Sequence, residues 1–196
     1  MKKRINRGLR ISRYVIYKET LVDYKEHFWS FLGAFIGIAL IAFFQSFILT
    51  KEENIFLIGS FGASSVLIYG AIQSPLAQPR NLILGNVISA AIGVSIAKVL
   101  PDIIWITAPL AVSLSIVSMQ MIKALHPPGG AAALIAVIGS EKIQELGYLY
   151  VFTPVLTGTL ILFFVALIFN NITKHRKYPN DRRFGHSIKR LFFKKA

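Results

Sequence analysis

Six stretches of this chain carry no Asp, Glu, Lys or Arg: His27–Thr50, Asn54–Pro79, Asn81–Ala97, Ile103–Ile122, Ala124–Ser140 and Leu146–Thr173. A helix rises about 1.5 Å per residue and needs about twenty residues to cross about 30 Å of hydrocarbon, so most of these stretches can span a bilayer. The predicted fold class is all-α, a polytopic membrane protein of about six transmembrane or interrupted helices. Two stretches are broken by their own residues. The second holds Gly59, Gly62 and Gly70, then Ser74-Pro75 and Gln78-Pro79, which predicts a helix over about Ile55–Ala71 with a weak point at its glycines. The fifth opens at Pro127-Pro128-Gly129-Gly130 and closes at Gly139. That leaves about a dozen residues, roughly 18 Å of helix, which is short of a crossing. Four full crossings plus two short or re-entrant segments therefore compete with six.

Charge gives these spans a direction. Only 16% of the residues are charged, and of the 22 Lys and Arg, eight lie in residues 1–26 and nine in residues 172–196. Positively charged flanks stay cytoplasmic, so both ends are expected inside and the number of crossings even. The expected division is a basic cytoplasmic segment over 1–26, a transmembrane domain over 27–173 and a basic cytoplasmic tail over 174–196. With six spans, the inside loops hold Arg80 and Lys123, and the outside loops hold Glu52, Glu53, Asp102, Glu141 and Glu145 beside Lys51 and Lys142. In the tail, Phe184, Ile188, Leu191 and Phe192 recur at helical spacing among basic residues, the pattern of a helix lying on an anionic leaflet. Nucleic acid is not expected as a partner, because the basic residues flank apolar runs and do not share one folded face. No apolar signal segment precedes the first stretch, which reads as an uncleaved span. The expected location is a bacterial inner membrane.

Gly62-Ala63-Ser64-Ser65-Val66-Leu67-Ile68 resembles Gly130-Ala131-Ala132-Ala133-Leu134-Ile135-Ala136, each run lying in the middle helix of a three-span group. Such a unit repeated in tandem is inverted the second time, the arrangement in which transporters place a site near the midplane. Helix starts at about Gly62 and Gly129 would then turn unpaired amides toward each other and attract an anion. The spans contain no carboxylate, whereas Arg80, Lys98, Lys123 and His126 are all potentially positive. The candidate binding residues are Gly62, Ala63, Ser64, Ser65, His126, Gly129, Gly130 and Ala131. Pro75, Gln78, Pro79, Arg80, Asn81, Pro127 and Pro128 are read as structural or gating, with Gln78, Arg80 and Asn81 steadying the break and drawing anions to the cytoplasmic mouth. Simple alternatives remain for each: a structural turn at His126, backward hydroxyl bonds from Ser64 and Ser65, topology signals in Arg80 and Lys123. Gly33-xxx-Gly37 and the Gly85, Ser89, Gly93, Ala97 stripe read as close helix packing, and such stripes in so small a chain point to a homodimer or homotrimer.

His126-Pro127-Pro128-Gly129-Gly130-Ala131, together with Phe61-Gly62-Ala63-Ser64, Ser74-Pro75-Leu76-Ala77-Gln78-Pro79-Arg80-Asn81 and Pro154 through Asn171, resembles the HPP family of integral membrane proteins. The resemblance runs from about Phe31 to Pro179. It implies a compact transmembrane domain, some plastid and cyanobacterial members of which are associated with nitrite transport. The chain departs from the family pattern at Ala132, where Thr is expected, and at Asn86, where His is frequent. The expected function is a transporter or channel for a small inorganic anion, nitrite-like. A non-transporting scaffold or sensory subunit is the alternative. A membrane enzyme is disfavoured, because His126 is the only His between His27 and His175 and no carboxylate pair, nucleophile set or metal cluster can be assembled. No cofactor is implied.

Overall fold

The computed structural model describes residues 24–47, 49, 59–173 and 176–180. The basic N-terminal segment up to residue 23, the Lys51–Glu53 loop and the amphipathic pattern at 184–192 lie outside the described residues. Among the described residues every regular element is helical. Helix α1 covers Tyr24–Gln45. Helix α2 is described over 59–70 and ends in a wider π turn, Val66–Gly70. A 3-10 turn, Pro75–Ala77, leads to α3, Pro79–Val99. Then follow α4, Ile104–Met121, α5, Pro127–Ile138, the short α6, Glu141–Leu146, and α7, Val151–Phe169.

Four of these, α1, α3, α4 and α7, are long and apolar enough to cross a membrane. The count of six full crossings is therefore not reproduced among the described residues: α5 has 12 residues, and the described part of α2 has no more. The reason is local. Proline at the first two helical positions sets where α5 begins, and Gly139 closes it.

Helix α3 is the centre of the bundle, packed against α5, α4 and the start of α7, while α1 lies along α7. Small residues allow the approach. A Cβ on Gly93 would fall on the Ala133 carbonyl oxygen, and one on Gly129 would lie 2.8 Å from the Gly85 oxygen and 2.9 Å from Ser89 Oγ. The Gly33 and Gly37 notch is filled by the Tyr69 ring, whose hydroxyl donates to the Leu162 carbonyl at 3.0 Å. Both stripes are thus occupied within one chain, so the expectation of a dimer or trimer loses the packing argument it rested on. Outside, the exposed side chains of α1 include Phe28, Phe31, Phe35, Phe43 and Phe44, as suits a surface against lipid.

The two ends of the domain meet. Arg176 forms an ion pair with Glu26 at 3.0 Å, which puts the start of α1 and the stretch beyond α7 on the same side of the bundle. Arg80 lies at this end too, since nearby Gln78 accepts the Asn180 amide at 2.8 Å; the Arg80 Nη2 donates to the Ile122 carbonyl at 2.6 Å.

Candidate functional site

Five residues join the end of α4 to the start of α5, and after Ile122, whose amide still reaches the Ser118 carbonyl, they carry the chain into the bundle outside the helical ladder. Lys123 takes a left-handed conformation at φ 56°, which lets the Ala124 amide reach the Met119 carbonyl at 2.8 Å. Non-helical backbone inside a bilayer must find partners within the protein. Here α3 supplies them. Arg80 donates to Ile122, as above, and Asn81 Nδ2 donates to the Leu125 carbonyl at 2.7 Å. The preceding turn is equally tied: Ser74 Oγ accepts the Leu76 amide at 3.2 Å, and Gln78 Nε2 donates to the Ile72 and Ser74 carbonyls, each at 3.0 Å. Pro75 and Pro79 open the 3-10 turn and α3.

His126 lies where these supports converge. It has no exposed surface, its Cβ faces Gly85 of α3, and its ring sits between α2 and the 3-10 turn. Nε2 is 3.0 Å from Ser64 Oγ, and Nδ1 is 3.0 Å from the Leu76 carbonyl. One helical turn from Ser64, Ser60 Oγ donates to the Pro128 carbonyl at 3.1 Å. Helix α2 therefore runs against the start of α5 in the opposite sense, Ser60 on Pro128 and Ser64 on His126.

Two of the expected anion donors are not where sequence placed them. Helix α2 is already running at residue 59, so Gly62 does not start a helix, and Ala63 to Ser65 lie a turn inside, where amides pair with carbonyls four residues back. Ala63 is exposed and Gly62 half-buried, with open space where a Cβ would stand. Neither joins His126. At α5 the start is real, but Pro127 and Pro128 have no N–H, and the Gly129 amide donates to the His126 carbonyl at 2.9 Å. Ala131 lies within the helix and pairs in its ladder. Gly130 is half-buried, and a Cβ there would meet a Val112 methyl at 3.7 Å. A shared pocket of open amides is therefore not formed.

Side-chain hydroxyls are what remains. Ser95 and Thr107 dispose of theirs in the way usual for apolar helices, donating to the carbonyl four residues back at 2.7 Å and 3.1 Å. Ser65 and Ser89 do not: both are buried, and neither Oγ has a hydrogen-bond partner. Ser65 follows Ser64 on α2, while Ser89 lies against Gly129 on the α3 side. Asn86 is also buried, its Nδ2 on the Leu82 carbonyl at 2.9 Å and its Oδ1 unpartnered. The sequence pattern puts Ser89 in a packing stripe and Asn86 at a departure from the family resemblance. The available signal was a polar residue inside an otherwise apolar span.

A second polar cluster had no sequence signal. Arg176 is buried, although the charge pattern assigns it to the tail. Its Nη1 donates to Glu26 and Ser30 Oγ at 3.0 Å, and its Nη2 to the Tyr69 carbonyl at 2.9 Å and Asn170 Oδ1 at 2.7 Å. Asn170 in turn gives Nδ2 to the Ile68 carbonyl at 2.7 Å. Tyr178 donates to the Ala77 carbonyl at 2.8 Å, and burial pushes its hydroxyl above the usual range, so it stays a neutral donor. This cluster closes the end of α2 and holds the 3-10 turn beneath His126.

Comparison with known proteins gives a family model, HPP, transmembrane region, that matches residues 19–179. A transmembrane protein of Dictyostelium discoideum is 48% identical over 160 residues, 80% of this chain and 51% of that protein. A second one from the same organism is 44% identical over 160 residues, 80% of this chain and 56% of the relative. The chain thus spans about half the length of these relatives. No solved structure matches it.

Proposed function

Since this chain belongs to the HPP transmembrane family, we propose that it carries a small inorganic anion across the bilayer, nitrite being the candidate, along a path that passes the His126 turn. Four buried hydroxyls among the described residues are unpartnered, Ser65, Ser89, Ser115 and Thr159; the observation that supports this most is that Ser65 and Ser89 lie on the two helices that pack around the Ser64–His126 contact. Neutral O–H donors in a dry setting suit a monovalent anion: they attract it without the deep well that a buried, unpaired Arg would create. In this reading the end bearing Arg80, Lys123 and Arg176 faces the cytoplasm, and its positive field gathers the anion there. The order of a long helix, one with a dozen described residues and a second long helix in α1, α2, α3 resembles that of α4, α5, α7. That resemblance supports two three-helix units of opposite sense whose middle members meet at His126.

Flux in proteoliposomes tests the reading. Replacing Ser65 or Ser89 with Ala should lower uptake of nitrite by about tenfold, the loss expected for a hydrogen bond to a charged ligand. Unchanged uptake in both variants, with the wild type active, would remove these hydroxyls from the path.

A further inference from the structure

The two ring nitrogens of His126 have partners of different kinds. A carbonyl oxygen only accepts, so the contact between Nδ1 and the Leu76 oxygen at 3.0 Å requires the proton to sit on Nδ1. Nε2 is then the bare nitrogen and accepts the Ser64 O–H across 3.0 Å. In this state the one proton of Ser64 is committed to the ring. A second proton on the imidazole reverses that contact. Nε2–H becomes the donor, Ser64 Oγ the acceptor, and the Ser64 O–H is released to turn elsewhere.

Among the described residues no free counter-charge faces that imidazolium: Glu26, the carboxylate of the cluster beneath the 3-10 turn, is paired with Arg176, and Tyr178 there gives its hydroxyl to Ala77. Residues 59–78, α4, α5 and α7 contain no Asp, Glu, Lys or Arg. Helix α3 contributes only Arg80, turned to the Ile122 carbonyl, and Lys98, at its opposite end. Lys123 is exposed in the turn before the ring, and Tyr69, the titratable group of α2, gives its hydroxyl to Leu162. Every fixed charge on these elements is therefore positive and opposes protonation. An unpaired cation at this depth is strongly unfavourable. An anion beside it removes the penalty, and by linkage the proton raises anion affinity by the same factor that the anion raises proton affinity.

We propose that the anion is carried together with one proton, which His126 takes at Nε2 while Ser64 turns its hydroxyl to the anion. The inference rests on the anion-transport reading above. The loaded site gains one positive and one negative charge, so each cycle moves no net charge. On release the proton leaves Nε2 and Ser64 returns to the ring. The anion path and the coupling device are thus one hydrogen bond in two polarities.

The test uses the full chain in liposomes with nitrate as the probe, because nitric acid is too strong to form the permeant neutral acid that complicates nitrite. With the membrane potential clamped at zero, an acid exterior should raise nitrate accumulation by about tenfold, within the range of a typical coupling factor. Imposed potential alone should change it little, and a lumenal pH dye should report one proton entering per anion. His126→Gln retains a donor for Leu76 and an acceptor for Ser64 but cannot take a second proton; it should fold and lose the response to the pH gradient. In detergent, adding nitrate to weakly buffered wild type should take up protons, and His126→Gln should take up none. Uptake that follows potential and ignores pH would overturn the coupling and leave the anion reading standing. No nitrate or nitrite uptake under any gradient would overturn both.

Discussion

Helices α2 and α5 meet at His126, and each has one end buried in the protein, yet the two ends are closed by different chemistry. The end of α2 presents carbonyls, Ile68 and Tyr69, and these are met by Asn170, Ser30 and Arg176, brought from α7, α1 and the stretch beyond α7. The start of α5 would present amides, but Pro127 and Pro128 have none, and the next one, on Gly129, is met locally by the His126 carbonyl. The difference follows from the backbone. A residue type exists that lacks an N–H, so a buried helix start can shed its donors; none lacks a carbonyl, so a buried helix end must import donors from elsewhere. The imported donor here is a guanidinium, whose fork serves several acceptors at once.

The largest effect should come from removing that import. Arg176→Ala leaves the buried Asn170 Oδ1 and the partly buried Glu26 short of a donor, and should lower stability by about 3 kcal/mol, read as a fall in thermal midpoint in detergent. Arg176→Lys should recover little, since an ammonium cannot span the same acceptors. Next comes the approach that seats α5. Gly129→Ala sets a methyl against the Gly85 backbone oxygen and should cost about 2 kcal/mol, with a loss of folded yield. The smallest effect sharpens the contrast. Gly62, the helix start expected in the other Gly-Ala run, faces open space within α2, so Gly62→Ala should leave the midpoint unchanged or raise it, by about 0.5 kcal/mol. Equal losses at Gly62 and Gly129 would show that α2 and α5 are seated alike.

Much of this was legible in the residue order. The charge-free stretches predicted the four long helices and the brevity of α5, and the His126-Pro127-Pro128 turn with the Ser74–Asn81 block marked the place where the chain re-enters the bundle. Ser64 was named because it lies in a small-residue run. What could not be read was which of two similar runs begins a helix, because Gly62 and Gly129 carry the same local preference and differ only in what precedes and faces them. Arg176 was illegible for another reason: among nine basic residues at the end of the chain, nothing local distinguishes the one that turns inward.

The sequence by itself determined that this chain lives in a bilayer, with helices where charge is absent and breaks where proline and glycine cluster. Transfer into hydrocarbon and backbone preference are sums over neighbouring residues, so they are written along the chain. Only the tertiary structure decided that Ser64 meets His126 across 62 positions, that Arg176 closes α2 from 107 positions away, and that Ser65 and Ser89 are left with hydroxyls to offer. A hydrogen bond depends on distance and direction between groups that different helices carry, and those are set by how the helices pack, which no single segment specifies.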